Sequence, residues 1–306
     1  MRVLVTGAAG FLGGHVARDL ARDGFDIIAM RRTAHRAAEL WSAPRVEFVA
    51  ADPARSTREL PSRIDAVLHF AASSPAPGIT ADALVRDNVA LTQSLIGYAR
   101  AAGAGLFVFA SSLSYYGLIE AREVDETAPR RDPDLYGVTK YVGESLLRDC
   151  AAILPSLALR LPGVIGRGAR RNFLSQTLRR LLAHEPVTAF NPDAPFNNAA
   201  YASDLSAFAG RLLRSRLAGF DAATLGARGM TTVAGAIERM RQRAGSRSVV
   251  EFRAADRNSF TVSSARAIAR YGYDPMEIGD MLDRYVAAEL TGTDGPGAEA
   301  TCADLP

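Results

Sequence analysis

Short apolar runs alternate with longer segments whose apolar residues return every three to four positions. Residues 2–6, 25–30, 46–50, 66–71, 106–110 and 157–160 are runs of the first kind and predict six strands. The stretch from after Gly14 through about Asp23, and residues 80–102 and 133–152, have helical spacing; Gly24 and Gly103 stop the first two, and Asp132 or Asp134 can cap the third. Strands alternating with helices predict an α/β fold with a doubly wound parallel sheet covered on both faces. Past Pro162 the rhythm changes. Helical patterns at 173–183, 204–216, 232–244 and 280–290 surround an irregular stretch at 191–198, with a short strand pattern at 249–252. The expected organisation is a first domain over residues 1–165, with a returning segment at about 200–230. A smaller C-terminal lobe comprises about 166–199 and 231–290, and 291–306 read as a disordered tail.

Composition narrows the function classes. Of 306 residues, 48% are apolar and 23% charged, an ordinary globular balance for a chain that needs no disulfides to fold. Cys150 and Cys302 form no framework and no C-x-x-C, so no metal site is expected. No apolar run approaches the ~18 residues of a membrane helix. The first residues enter a strand rather than a signal peptide, and a cytoplasmic protein is expected. The 36 cations and 33 anions are interspersed, giving +3, and no basic run marks a nucleic-acid or membrane partner. One count stands out: 35 of the 36 cations are arginine, and the exception is Lys140. Where guanidinium serves everywhere else, a compact ammonium at one position points to a site that guanidinium does not fit.

Gly7-x-x-Gly10-x-x-Gly13 follows the first strand and opens a helix. That order suits a dinucleotide pyrophosphate, because glycines let the backbone approach closely and the helix N-terminus offers free N–H groups. At the end of the second strand, where a carboxylate would bind the ribose of NAD, the chain has Arg31 and Arg32. Two guanidiniums suit a 2′-phosphate, so NADP is favoured over NAD. Asp52, after the third strand, suits the adenine amino group and suits a turn cap equally. His69, inside an apolar strand, reads as a packed histidine.

Tyr136 and Lys140 stand four apart on the helix after the fifth strand and share one face. With nine tyrosines in the chain, that placement of its one lysine is about a 3% event. A nearby ammonium, with a cationic nicotinamide, is expected to acidify the phenol from about 10 to near 7, a change of roughly 4 kcal/mol. Tyr136 is then the general base or acid at a substrate hydroxyl or carbonyl. Ser111 and Ser112 end the fifth strand, the edge at which open α/β sheets bind ligands, and either hydroxyl can polarise a carbonyl. Asn88 lies in the long helix and suits a bond to backbone beside the site.

Taken in order, these pieces resemble the extended short-chain dehydrogenase/reductase family, in its nucleotide-sugar epimerase, dehydratase and reductase branch. The matching segments are Thr6 to Gly13, Asp52, His69 to Ala72, Asn88-Val89, Ser111 to Gly117, Tyr136 to Lys140, Leu159 to Gly166 and Tyr201 to Leu205. The resemblance implies a Rossmann sheet with a substrate-binding C-terminal lobe, a nucleotide diphosphate sugar as substrate and a homodimer. It implies that Ser112 rather than Ser111 is the catalytic serine, and that Lys140 binds the nicotinamide ribose. It places Gly7, Gly10, Phe11, Leu12, Gly13, Ala71 and Asn88 around the cofactor. Substrate contacts would fall to Ser112, Ser114, Asn172, Phe190, Asn197 and Arg253. The pocket departs from UDP-hexose epimerases: Gly163 stands where they have an asparagine, and Asn197 where they have a diphosphate-binding arginine. The 4,6-dehydratases carry Asp-Glu after the catalytic threonine; here Leu113-Ser114 follow Ser112, which disfavours dehydration. The expected activity is NAD(P)-dependent C4 epimerisation of a nucleotide diphosphate sugar, with a UDP-sugar among the candidates, through a transient 4-keto sugar. Alternatives are a net NADPH-dependent 4-keto reductase, a reductase of a non-nucleotide carbonyl, and a non-catalytic cofactor sensor.

Overall fold

The computed structural model describes residues 1–32, 44–255 and 259–293. In chain order the elements begin β1 (Arg2–Thr6), α1 (Phe11–Arg22), β2 (Asp26–Arg31), β3 (Val46–Ala50) and β4 (Ala66–His69). There follow α2 (Ala81–Leu84), a π-helical turn (Val85–Ala90), α3 (Leu91–Ala101), β5 (Leu106–Ser112), β6 (Glu123–Val124), α4 (Leu135–Asp149) and β7 (Ser156–Leu161). The later elements are β8 (Gly163–Ile165), α5 (Phe173–Leu182), β9 (Val187–Phe190), β10 (Pro195–Phe196), β11 (Ala199–Tyr201), α6 (Ala202–Arg214) and β12 (Phe220–Thr224). The chain closes with β13 (Thr231–Thr232), α7 (Val233–Arg243), β14 (Val250–Arg253), β15 (Thr261–Val262), α8 (Ala265–Tyr271) and α9 (Ile278–Thr291).

Seven strands form one parallel sheet in the order β12-β7-β5-β4-β1-β2-β3. The order reverses between β1 and β4, and the crevice beyond that point is where such sheets bind ligands. Alternation along each strand feeds two cores. Val3 and Val5 pack with Val16, Leu20 and Phe208 beneath α1 and α6, while Leu4 packs with Leu95, Phe107 and Leu147 beneath α3 and α4. A third core, including Leu174, Tyr201, Met240 and Tyr285, lies among α5, β11, α7 and α9.

Several elements differ from the sequence pattern, among them α8, which that pattern does not predict. β12 joins the sheet as an edge strand beside β7, and its short Phe-Asp-Ala-Ala-Thr run carries little apolar signal. The expected single helix over 80–102 opens into a π turn that carries Asp87 and Asn88. Of the expected tail, residues 294–306 lie outside the described residues. α9 runs to Thr291 and closes at Gly292 in the left-handed conformation. Among the described residues no helix is long and apolar enough to cross a membrane.

A buried ion pair locks β7 to α4. Arg160 and Glu144 are 4% and 0% exposed, and the guanidinium binds the carboxylate through Nε and Nη2 at 3.0 and 2.8 Å. Arg160 Nη1 also donates to the Tyr116 hydroxyl (2.8 Å), which donates onward to the Asp125 carbonyl (2.7 Å). Ser111 Oγ donates to the same carboxylate at 2.7 Å. Removing one partner strands a buried charge, so Arg160→Met is expected to cost about 3–5 kcal/mol in urea unfolding. Replacing both partners with apolar residues should recover part of that loss. A single variant within about 0.5 kcal/mol of wild type would contradict this role.

Candidate active site

The glycine turn after β1 is shaped by close backbone approach. A Cβ on Gly13 would sit 2.4 Å from the Gly7 carbonyl oxygen, so only glycine lets α1 start this close to the strand. Gly10 caps α1 with no side-chain bond, leaving the first-turn N–H groups facing the crevice. Gly10 and Phe11 border a cleft of about 1140 Å³, and Leu12 borders a smaller chamber of about 210 Å³ beside it.

That chamber gathers Ser112, Tyr136 and Lys140, together with Ser74 and Pro162. β5 delivers Ser112 as its last residue. α4 delivers the other two: Asp134 caps it by accepting the Gly137 N–H at 2.7 Å. A Cβ on Gly137 would lie 2.0 Å from the Ser114 carbonyl oxygen, so glycine lets α4 rest on the turn after β5. Ser112 Oγ accepts the Ser114 N–H (3.1 Å), which keeps its own O–H for donation. Ser112 and Ser74 border the same chamber as the Tyr136 phenol, and hydrogen bonding from both acts to lower its pKa. Ser111, by contrast, is committed to Glu144.

Lys140 is 3% exposed and its ammonium donates to the Ala110 carbonyl at 2.7 Å. It lies 5.5 Å from the centre of the Tyr136 ring. Burial pulls its pKa down to about 8, against the opposing pull of Glu144 one turn further on. The expected acidification of Tyr136 is absent from the protein alone. Burial drives its phenol above the usual value, and the bonds from Ser74 and Ser112 offset only part of that rise. Desolvation of the phenolate outweighs what the two serines return.

His69 is structural. Thr92 Oγ1 donates to the Asn88 carbonyl (2.5 Å) and so accepts from His69 Nε2 (2.9 Å), which leaves Nδ1 to accept from Thr6 Oγ1 (2.7 Å). Burial and the Lys140 charge push its pKa to about 3, so it stays neutral.

Among the expected cofactor residues, Arg31 closes β2 and Arg32 forms an ion pair with Asp87 at 2.8 Å. Burial works to raise the Asp87 pKa, but hydrogen bonds from Ser73, Arg32 and Arg86 hold it below the usual value. Asp52 sits just beyond β3, 3.6 Å from Arg55. Ala71 donates its N–H to Thr6 Oγ1. Asn88 bonds the Ser73 backbone and Thr139.

The substrate expectations divide. Ser114 and Asn172 border the large cleft, and Asn172 also borders an adjoining pocket of about 760 Å³ with Phe190, Phe196 and Phe260. The Asn172 amide caps α5 and holds the Val164 carbonyl. Asn197 is a correction. It is buried, donates to the Val262 carbonyl and accepts the Val262 N–H, and so staples two loops instead of facing the cleft. Its neighbour Asn198 borders both cavities, with a buried Oδ1 that finds no partner among the described residues. Arg253 is also redirected: it pairs with Glu251 along exposed β14 at 3.0 Å and is not among the residues bordering either cavity.

The sequence reading missed Ser74, Asn198 and the exposed Arg167, Arg170 and Arg171 at the cleft mouth. Only Ser74 carried a signal, by lying at the sheet edge where ligands bind.

A family model described as NAD dependent epimerase/dehydratase family matches residues 3–219. This chain belongs to that family. A UDP-glucose 4-epimerase of Azospirillum brasilense is 35% identical over 181 residues, 54% of this chain and 49% of that protein. The chain thus spans about half the length of that curated relative. A UDP-glucose 4-epimerase of Streptomyces lividans is 29% identical over 201 residues, 62% of this chain and 58% of the relative. Among solved structures, MoeE5 in complex with UDP-glucuronic acid and NAD superposes with TM-score 0.78 at 26% identity, covering 94% of this chain and 98% of that one. UDP-glucuronic acid 4-epimerase from Bacillus cereus, in complex with NAD, shares the fold with TM-score 0.79 at 23% identity over 94% of this chain and 98% of that one.

In this family member the buried ammonium weakens the fold it serves. The unfolded chain holds a proton on Lys140 up to about 10.5 and the folded chain up to about 8, so stability falls as pH drops through that window. Lys140→Met is therefore expected to unfold at higher urea than wild type at pH 7, by up to about 3 kcal/mol, with a flatter pH dependence above 8. A variant less stable at pH 7 would contradict the burial cost.

Proposed function

We propose that this chain is a nicotinamide-dependent 4-epimerase of a UDP-sugar. The observation that carries the reading is the convergence of Ser112, Tyr136 and Lys140 in one small chamber beside the glycine turn. The chain fits a dinucleotide: the first turn of α1 offers free N–H groups to a pyrophosphate, and Lys140 has donors beyond its bond to Ala110 for ribose hydroxyls. When bound, the nicotinamide ring supplies the two-electron acceptor and donor for carbon 4. Tyr136 takes the proton of the C4 hydroxyl and returns it after the 4-keto sugar has turned over. Ser112 donates a hydrogen bond to the same sugar oxygen.

The diphosphate meets Arg167, Arg170 and Arg171 at the mouth, and the base enters the aromatic pocket of Phe173, Phe190 and Phe196. Asn198 Oδ1 supplies an acceptor between them. The names of the relatives support UDP-glucose or UDP-glucuronic acid as the sugars to try first. A homodimer stays part of this proposal.

The cofactor is read as NAD, and the NADP expectation gives way. Arg32 already serves Asp87, whose side chain is 8% exposed, and turning to a 2′-phosphate would leave that carboxylate short of a partner, at about 1–3 kcal/mol. The relatives solved with a cofactor name NAD, which supports the same reading.

Tyr136→Phe is expected to slow interconversion of UDP-glucose and UDP-galactose by about 10²–10⁴-fold while NAD binding by calorimetry is unchanged. Near-wild-type turnover would refute the role of the phenol. NAD should bind more tightly than NADP, and Asp87→Asn should narrow that gap by freeing Arg32. Tighter NADP binding by the wild-type protein would overturn the NAD reading.

A further inference from the structure

The loop after β4 is pinned on both sides of exposed Ala72. Ala71 N–H donates to Thr6 Oγ1 at 3.1 Å. Ser73 N–H donates to Asn88 Oδ1 (2.8 Å), Asn88 Nδ2 donates back to the Ser73 carbonyl (2.9 Å), and Ser73 Oγ donates to Asp87 (2.5 Å). The other Asn88 amide hydrogen reaches Thr139 Oγ1 at 3.1 Å, and Thr139 Oγ1 donates to the Tyr136 carbonyl at 2.7 Å. One side-chain amide thus fixes both the residue before Ser74 and the helical turn that carries Tyr136. Asp87 and Asn88 lie in the π turn, an irregularity common at functional sites. Ser74 borders the same chamber as Ser112, Tyr136 and Lys140.

We propose that Ser74 is a positioning residue for Tyr136, sharing the phenolic oxygen with Ser112 and stabilising its deprotonated form. The inference rests on Tyr136 as the base of the proposed reaction. A phenolate oxygen accepts both hydroxyl donors, and hydrogen bonds to the charged form lower the pKa of an acid. The Asn88 clamp holds Ser74 beside the Tyr136 turn, because the loop and α4 cannot separate without breaking the Asn88 hydrogen bonds.

The test follows phenolate absorbance during a pH titration of the NAD-loaded protein with no sugar present. Subtracting the Tyr136→Phe titration isolates the one phenol. Ser74→Ala is expected to move its midpoint upward by about one pH unit, and Ser74→Thr to restore it. In turnover, the alanine variant should lose about tenfold in kcat at neutral pH with little change in KM, and regain rate as pH rises. An unmoved midpoint in Ser74→Ala, or an equal shift in Ser74→Thr, overturns the inference. The titration contains no sugar, so a wrong substrate would show as absent turnover with the midpoint shift intact.

Discussion

A single ammonium buried under the C-terminal edge of the sheet is the constraint around which this molecule is arranged. Burying a charge costs free energy unless polar groups surround it. Here Ala110 accepts its hydrogen bond and Glu144 supplies the opposing charge one turn along α4. Glu144 is held in turn by Arg160 and Ser111, so the support reaches through β7 and β5 to the core. Every other cation in the chain is arginine. A planar fork does not fit where a compact point charge must lie beside a tyrosine face, and this explains why one lysine persists at this one place.

A second, uncharged network sets the geometry. From Thr6 through His69 and Thr92 to Asn88, each hydroxyl gives one bond and receives another, while the His69 ring donates at Nε2 and accepts at Nδ1, joining β1, β4 and α3. Asn88 then reaches both the loop after β4 and the helix of Tyr136. The ammonium network fixes charge, and the Asn88 network fixes where the phenolic oxygen sits. Between them the two networks tie the loop after β4, β5 and α4 to one another around the chamber.

Much of this was legible in the chain, for definite reasons. Strands buried on both faces read as unbroken apolar runs, so β1, β4 and β5 were evident. Edge strand β12, with Asp221 in its middle, was not. Tyr136 and Lys140 lie on one helix, where four residues guarantee a shared face. Contacts between separate loops have no such periodicity, so Ser74 went unseen. In the Asn197-Asn198 pair, nothing local says which amide faces the cleft. The π turn also hid inside an ordinary helical pattern. The rise of the Tyr136 pKa in the protein without cofactor was not legible, because charges can be counted along a chain, whereas desolvation depends on the packed site. For the same reason Arg31 and Arg32 suggested a phosphate, while the carboxylate that claims Arg32 lies in the distant π turn.

Because Lys140 is the only lysine, the protein labelled with ¹⁵N-lysine gives one side-chain nitrogen signal. Following that signal with pH tests the buried ammonium most directly. The structure predicts a midpoint of about 8 in the protein without ligand. A midpoint near 10.5, the value of a solvated lysine, would contradict it.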